Sequence, residues 1–145
     1  MKLIITILIF LLSISCKQNE EKKIIIEDQI QKTNKVEEVY LKNFSYEDVA
    51  RYTMASIMSQ KPKIITAIKK DKLYHVSYIR KSDRQKFVYK IKFKGNKIMW
   101  GNMDGRWRDS QYDEKLSFIE VNNKISIIQV FSDSSEDIQE YKKGE

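Results

Sequence analysis

Residues 86–94 read Lys-Phe-Val-Tyr-Lys-Ile-Lys-Phe-Lys. Phe87, Tyr89, Ile91 and Phe93 point one way, while Lys86, Lys90, Lys92 and Lys94 point the other; only Val88 breaks the pattern. Side chains alternate between the faces of a strand, so this period of two describes a strand with one buried and one wet face. Strands of a parallel sheet are covered on both sides and read as continuous apolar runs. The alternation therefore calls for an antiparallel sheet.

The same period recurs on both sides of this segment. Residues 63–69 form a candidate strand, followed by a turn at Lys70-Asp71-Lys72. In the next strand Leu73, His75, Ser77 and Ile79 share one face, and Tyr74, Val76 and Tyr78 the other. Gly95-Asn96 is a tight turn into residues 97–103, and Asn122-Asn123 joins residues 116–121 to 124–131. Such short turns leave no room for crossover helices, so neighbouring strands should pair in order as a meander.

Upstream the period is helical. Ser45 can cap a helix, with Asp48 three residues on and Glu47 in the first turn. Val49, Ala50, Thr53, Met54, Ile57 and Met58 then form one apolar stripe, which reads as core. Glu47 and Arg51 are spaced to pair on the exposed side, and Pro62 requires the helix to end before it. The expected fold class is α+β, with one N-terminal helix packed on a curved antiparallel β-meander of about six strands. Residues 36–133 make up this domain and residues 134–145 a polar C-terminal tail, frayed or forming a short helix. The order resembles cystatin-like and related helix-plus-meander folds; the resemblance is topological and carries no function.

The first residues follow different rules. Met1-Lys2 is a basic start, residues 3–12 are apolar except Thr6, and Ser13 and Ser15 precede Cys16. These are the charged, apolar and small-residue regions of a secretory signal. The apolar run is shorter than the roughly twenty residues that a spanning helix needs. Leu12-Ser13-Ile14-Ser15-Cys16 resembles the lipobox of bacterial lipoproteins. That resemblance implies a signal peptide over residues 1–15, cleavage before Cys16 and acylation of its thiol. Several acyl chains anchor stably where one binds only marginally. Residues 16–35 then read as a charged, flexible tether, interrupted by Ile24-Ile25-Ile26. Lys17 stands where some Gram-negative lipoproteins carry an inner-membrane retention aspartate, and Glu20-Glu21 resembles the surface-export signal of others. Together these imply a lipoprotein of the outer membrane, facing the periplasm or the surface, with the membrane as its partner through Cys16.

The chain is basic, with 27 Lys+Arg against 20 Asp+Glu. Its many Lys, Ile and Asn residues match AT-rich coding DNA, which accounts for part of that charge. With predicted export added, no nucleic-acid partner is expected. Cys16 is the only cysteine, so no internal disulfide can form and packing must hold the fold. A single histidine excludes His-pair metal sites, and neither a G-x-S-x-G elbow nor a phosphate-binding glycine loop occurs. His75, between Leu73 and Ile79 on a strand face, reads as a packed or hydrogen-bonded histidine. No cofactor is implied.

One connection is chemically dense. Residues 100–113 carry both tryptophans, Arg106, Arg108, three aspartates and two glycines. Trp107 between two arginines offers a flat apolar surface flanked by cationic forks, groups enriched at binding hot spots. Trp100, Arg106, Trp107, Arg108 and Tyr112 are therefore the candidate binding residues. The alternative is that the tryptophans close one end of the sheet while the arginines pair with Asp104, Asp109 or Asp113. The lysine face of residues 86–94 is either a solvated surface or a contact for anionic lipid.

Three functions compete. The first is a non-enzymatic, lipid-anchored binding domain with an envelope or extracellular protein partner; an immunity or inhibitor protein acting on a toxin is one version. The second is a small-ligand carrier, with a pocket lined by Met54, Met58, Phe87, Tyr89 and Phe93. The third is a hydrolase using loop carboxylates, for which spacing in a loop sets no geometry. The lipobox reading is directly testable. Cys16→Ala should abolish incorporation of a labelled fatty acid and block the cleavage that depends on it, and wild-type labelling of the variant would refute the reading.

Overall fold

The computed structural model describes residues 39–145. The signal peptide, Cys16 and the tether lie outside the described residues. Helix α1 (Tyr46–Met58) precedes seven strands: β1 (Ile65–Lys70), β2 (Leu73–Ile79), β3 (Lys86–Lys94), β4 (Lys97–Asn102), β5 (Lys115–Val121), β6 (Lys124–Val130) and β7 (Glu136–Lys142). They lie in one sheet in the order of the chain, every neighbouring pair antiparallel, curled into a half-barrel around the helix. The architecture is the expected α+β meander.

Local chemistry sets the elements. The Asp48 N–H donates to Ser45 Oγ (3.2 Å) and the Ser45 N–H donates back to Asp48 Oδ2 (3.0 Å). This reciprocal capping box satisfies two of the backbone donors that a helix start leaves unpaired. Arg51 pairs with Asp48 at 3.2 Å. The expected Glu47 partner is displaced because Asp48, one turn back, is already fixed by the cap. Ser59 adopts a left-handed conformation (φ 50°) that ends α1, and Pro62 opens a short 3-10 turn (Pro62–Ile64) before β1. Asn122 (φ 50°) and Asn123 (φ 63°) both take positive φ in the β5–β6 hairpin, as its two-residue turn requires.

The concave face holds the core. Tyr74, Val76 and Tyr78 of β2, Tyr89 and Ile91 of β3, Ile98 and Trp100 of β4, Leu116 and Phe118 of β5, and Ile125 and Ile127 of β6 are buried against α1. Phe87 and Phe93 complete the β3 row as half-buried residues packed on this cluster. Phe93 contacts Tyr46, Tyr74 and Phe118 at ring-centroid distances of 4.8, 5.2 and 5.9 Å. The five side chains nominated for a helix–sheet pocket therefore belong to the packing: Met54 and Tyr89 are buried, and Met58, Phe87 and Phe93 pack against the core. Among the described residues, the buried core runs from Phe44 to Tyr141.

Two features depart from the expectation. Residues 134–145 contain β7 instead of an irregular tail, so the meander gains a strand at its C-terminal end. The buried stripe of α1 is also wider than the sequence period indicates, because Tyr52, Ala55 and Ser56 are buried too. The first explains the second. On β7, Tyr141 stacks on Tyr52 at 4.7 Å with rings 4° from parallel, and the Tyr52 hydroxyl donates to the Lys142 carbonyl (2.8 Å). On β6, Gln129 Nε2 donates to Ser56 Oγ (2.8 Å). The inward row of β7 is mostly polar, with Asp137, Gln139 and Tyr141, and its Ile138 points outward, 55% exposed. The inward polar groups satisfy one another: Gln139 Nε2 donates to Asp137 Oδ2 (3.1 Å) and the Tyr141 hydroxyl to Gln139 Oε1 (2.8 Å). A strand patterned this way lacks the apolar alternation by which strands are recognised.

This register separates two neighbours on β7. Tyr141→Ala removes a buried aromatic ring and should cost about 3–5 kcal/mol. Ile138→Ala on the outer face should stay within about 0.5 kcal/mol. Chemical denaturation of both variants checks this, and equal midpoints would contradict the register.

Candidate functional site

β4 and β5 pair at only two positions, Lys97 with Ser117 and Ile98 with Leu116. Beyond Ile98, β4 continues on β3 without β5, and residues 103–114 take the place that β5 vacates. The Gly105 N–H donates to the Asn102 carbonyl (3.1 Å) and the Arg108 N–H to the Trp100 carbonyl (2.8 Å). The loop therefore folds back over the outer face of β4. Gly101 makes this approach feasible: a Cβ at that position would sit 2.5 Å from the Arg106 carbonyl oxygen. Such contact with backbone cannot be relieved by rotating a side chain.

Two charged groups lock the loop. Arg106 grips Asp113 with both arms of its guanidinium, Nη1 to Oδ2 at 2.6 Å and Nη2 to Oδ1 at 2.8 Å. The Ser110 N–H and Oγ also donate to Asp113 Oδ2, at 3.0 and 2.6 Å. Asp113 is 4% exposed, and the guanidinium and Ser110 hold its carboxyl far below the usual range. Lys90 supplies the second lock from β3, its ammonium donating to the carbonyls of Met103 (3.1 Å) and Gly105 (2.8 Å).

The structure divides the predicted cluster between two faces. Trp100 points inward, 6% exposed, with its indole N–H donating to Glu114 Oε1 (2.8 Å) and its ring edge-on to Tyr89. It is a core residue. Trp107 lies half-buried on the outer face, beneath the ammoniums of Lys92 (4.3 Å from the ring centroid) and Lys90 (5.0 Å). Arg106 is engaged with Asp113. Arg108 covers Trp100, its guanidinium 5.0 Å from the ring and its Nη2 3.4 Å from Glu114 Oε2. Tyr112 is 80% exposed at the loop tip. Trp107, Arg106, Arg108 and Tyr112 therefore share one outward loop, and Trp100 does not join them.

Lys90 and Lys92, expected as part of the separate lysine face of residues 86–94, join this loop. The signal for them was present in the hairpin: counting back from Gly95-Asn96 sets Lys92 opposite Met99 and Lys90 opposite Gly101. The outer face of β2–β4 carries His75, Lys86, Lys90, Lys92, Lys94 and Lys97, and among the described residues of those strands it carries no carboxylate. His75 sits half-buried on this face, opposite Lys90. Of the loop carboxylates, Asp113 and Glu114 are committed to Arg106, Ser110, Trp100 and Arg108.

The Asp113 lock should make stability depend on pH in a defined direction. Its folded-state pKa lies below the unfolded value of about 3.9, so the stabilising contribution is complete above that value. It is lost as the pH falls through the unfolded value towards the folded one. The melting-temperature gap between wild type and Asp113→Asn should therefore be widest above about pH 5 and narrow towards about pH 2. A gap independent of pH would mean that the carboxylate charge does not hold the loop.

No protein-family model, no curated protein and no solved structure matches this chain.

Proposed function

We propose that this chain is a lipid-anchored, non-enzymatic binding domain of the bacterial cell envelope that meets an acidic protein partner on the outer face of β3 and β4. The carrying observation is Trp107, set under Lys90 and Lys92 in a loop locked by Arg106–Asp113. An aromatic surface ringed by cations provides contact area and charge together, and rigid display reduces the entropy lost on binding. The absence of carboxylates on the outer face of β2–β4 favours an acidic partner, attracted over a distance of about 10 Å at moderate salt. The lipobox resemblance at Cys16 supplies the anchor, and residues 16–35 the reach. An incoming toxin with an acidic surface is one partner of this kind.

The test is affinity capture from envelope and extracellular fractions with residues 17–145. The captured partner should be released by high salt, and a Trp107→Ala, Lys92→Glu double variant should lose it. Loss of one hot-spot residue of this type weakens binding by about 2 kcal/mol, roughly thirtyfold. Equal capture by the double variant, at an unchanged melting temperature, would overturn the assignment.

A further inference from the structure

The divergence of β4 from β5 leaves a furrow on the outer face, lined in part by Arg108. It holds about 410 Å³, and its lining includes Lys94, Lys97, Met99, Arg108, Lys115 and Val130. That volume suits a small molecule.

Its charge is unbalanced. Three lysines and Arg108 face the carboxylates of Asp109 and Glu114. Glu114 is already taken by the Trp100 indole and by Arg108. Lys94 and Lys97 stand directly opposite each other across the hairpin, and neither has a carboxylate partner among the described residues. Like charges directly opposed on one face of a sheet are destabilising. Lys115 is the diagonal neighbour of Lys97 on the same face, within reach of long side chains. The Lys115 ammonium already donates to the Ser110 carbonyl, and an anion bound between Lys94 and Lys97 would relieve the repulsion of that pair.

The floor has different chemistry. Met99 and Val130 are half-buried and offer apolar surface, with the Ile98 and Leu116 pair beneath. Methionine adapts its shape to a flexible chain. Lys115 stands directly opposite Val130, so the apolar surface begins beside the cations, and the pair Lys94 and Lys97 next to it complements a molecule that is anionic at its head and apolar along its body.

We infer that the furrow at the β4–β5 divergence binds a single-chain anionic amphiphile, its head between Lys94 and Lys97 and its chain along Met99 and Val130. The head is a carboxylate or phosphate, and the ligand enters as a free monomer. This goes beyond the protein-binding reading; Lys94 and Lys97 belong to the same basic face, but Trp107, Lys90 and Lys92 are not used, so the two can fail separately.

The experiment is an amide NMR titration of residues 17–145 with decyl phosphate below its micellar concentration, beside inorganic phosphate, decanol and vesicles of anionic phospholipid. Decyl phosphate should shift the amides of Met99, Lys115 and Val130 saturably, while inorganic phosphate and decanol each bind at least about tenfold more weakly. A Lys94→Gln, Lys97→Gln double variant should weaken decyl phosphate by about tenfold with the rest of its spectrum unchanged. Trp107→Ala should bind it as wild type does, which separates this site from the protein surface. Four results would each overturn the inference: no saturable shift, shifts centred on Trp107, equal affinity of the lysine double variant, or binding to vesicles without binding to the monomer.

Discussion

The structure depends on the burial of α1 inside the curl of its own sheet. A helix lying on a flat sheet buries one stripe and keeps the opposite side wet. Here Tyr52, on the side away from the expected stripe, is as fully buried as Val49 and Met54. Its ring lies against Tyr141 and its hydroxyl reaches the backbone of β7. The burial needs curvature, which lets β1 and β2 pack on one side of α1 and β6 and β7 on another. Thr53 and Ser56 are tolerated inside because their hydroxyls are bonded, Thr53 to the Val49 carbonyl and Ser56 to Gln129. With the concave side filled in this way, surface chemistry is left to the convex side and to the loops.

The same curl explains why the β4–β5 connection is longer than the others. Where β4 and β5 part, the inner face loses cover near Trp100, and the edge of β4 loses ladder bonds. Residues 103–114 restore both. Arg108 and Glu114 close over the Trp100 indole, and the Arg108 N–H takes up the Trp100 carbonyl. Arg106 and Asp113 form a buried-to-surface ion pair in which the carboxylate also accepts from Ser110, so the desolvated charge is compensated by several donors. A loop built to repair the sheet is held rigid for that reason, and Trp107 is displayed on it.

Much of this was legible in the residues. The alternation of residues 86–94 showed which face of β3 is buried, the capping box at Ser45 and Asp48 marked where α1 begins, and Gly95-Asn96 set the β3–β4 register. What escaped was arrangement that depends on partners far along the chain. The inward row of β7 is largely polar and bonds to itself, so its period carries no apolar signal. The burial of Tyr52 follows from β7 and was hidden with it. In the loop, composition identified the residue types but not their faces. Trp100 is fixed inward by strand parity with Ile98, whereas Trp107 follows a reversal that depends on the missing Cβ of Gly101. Which of three aspartates would meet Arg106 was open for the same reason, since spacing in a loop determines no distance. The lipobox lies outside the described residues.

The meander also has a temporal meaning. Every strand pairs with its neighbour in sequence, so most of the sheet can zip up through short loop closures as the chain emerges. The partner of Tyr52 lies 90 residues further along, on the last strand. Among the described residues, the element that appears first is therefore the last to be finished, and a chain interrupted before β7 presents an aromatic side chain that has no place to go. Exposed apolar surface on incomplete chains is what chaperones and proteases recognise. The stacking of Tyr52 on Tyr141 thus makes full burial of α1 conditional on β7.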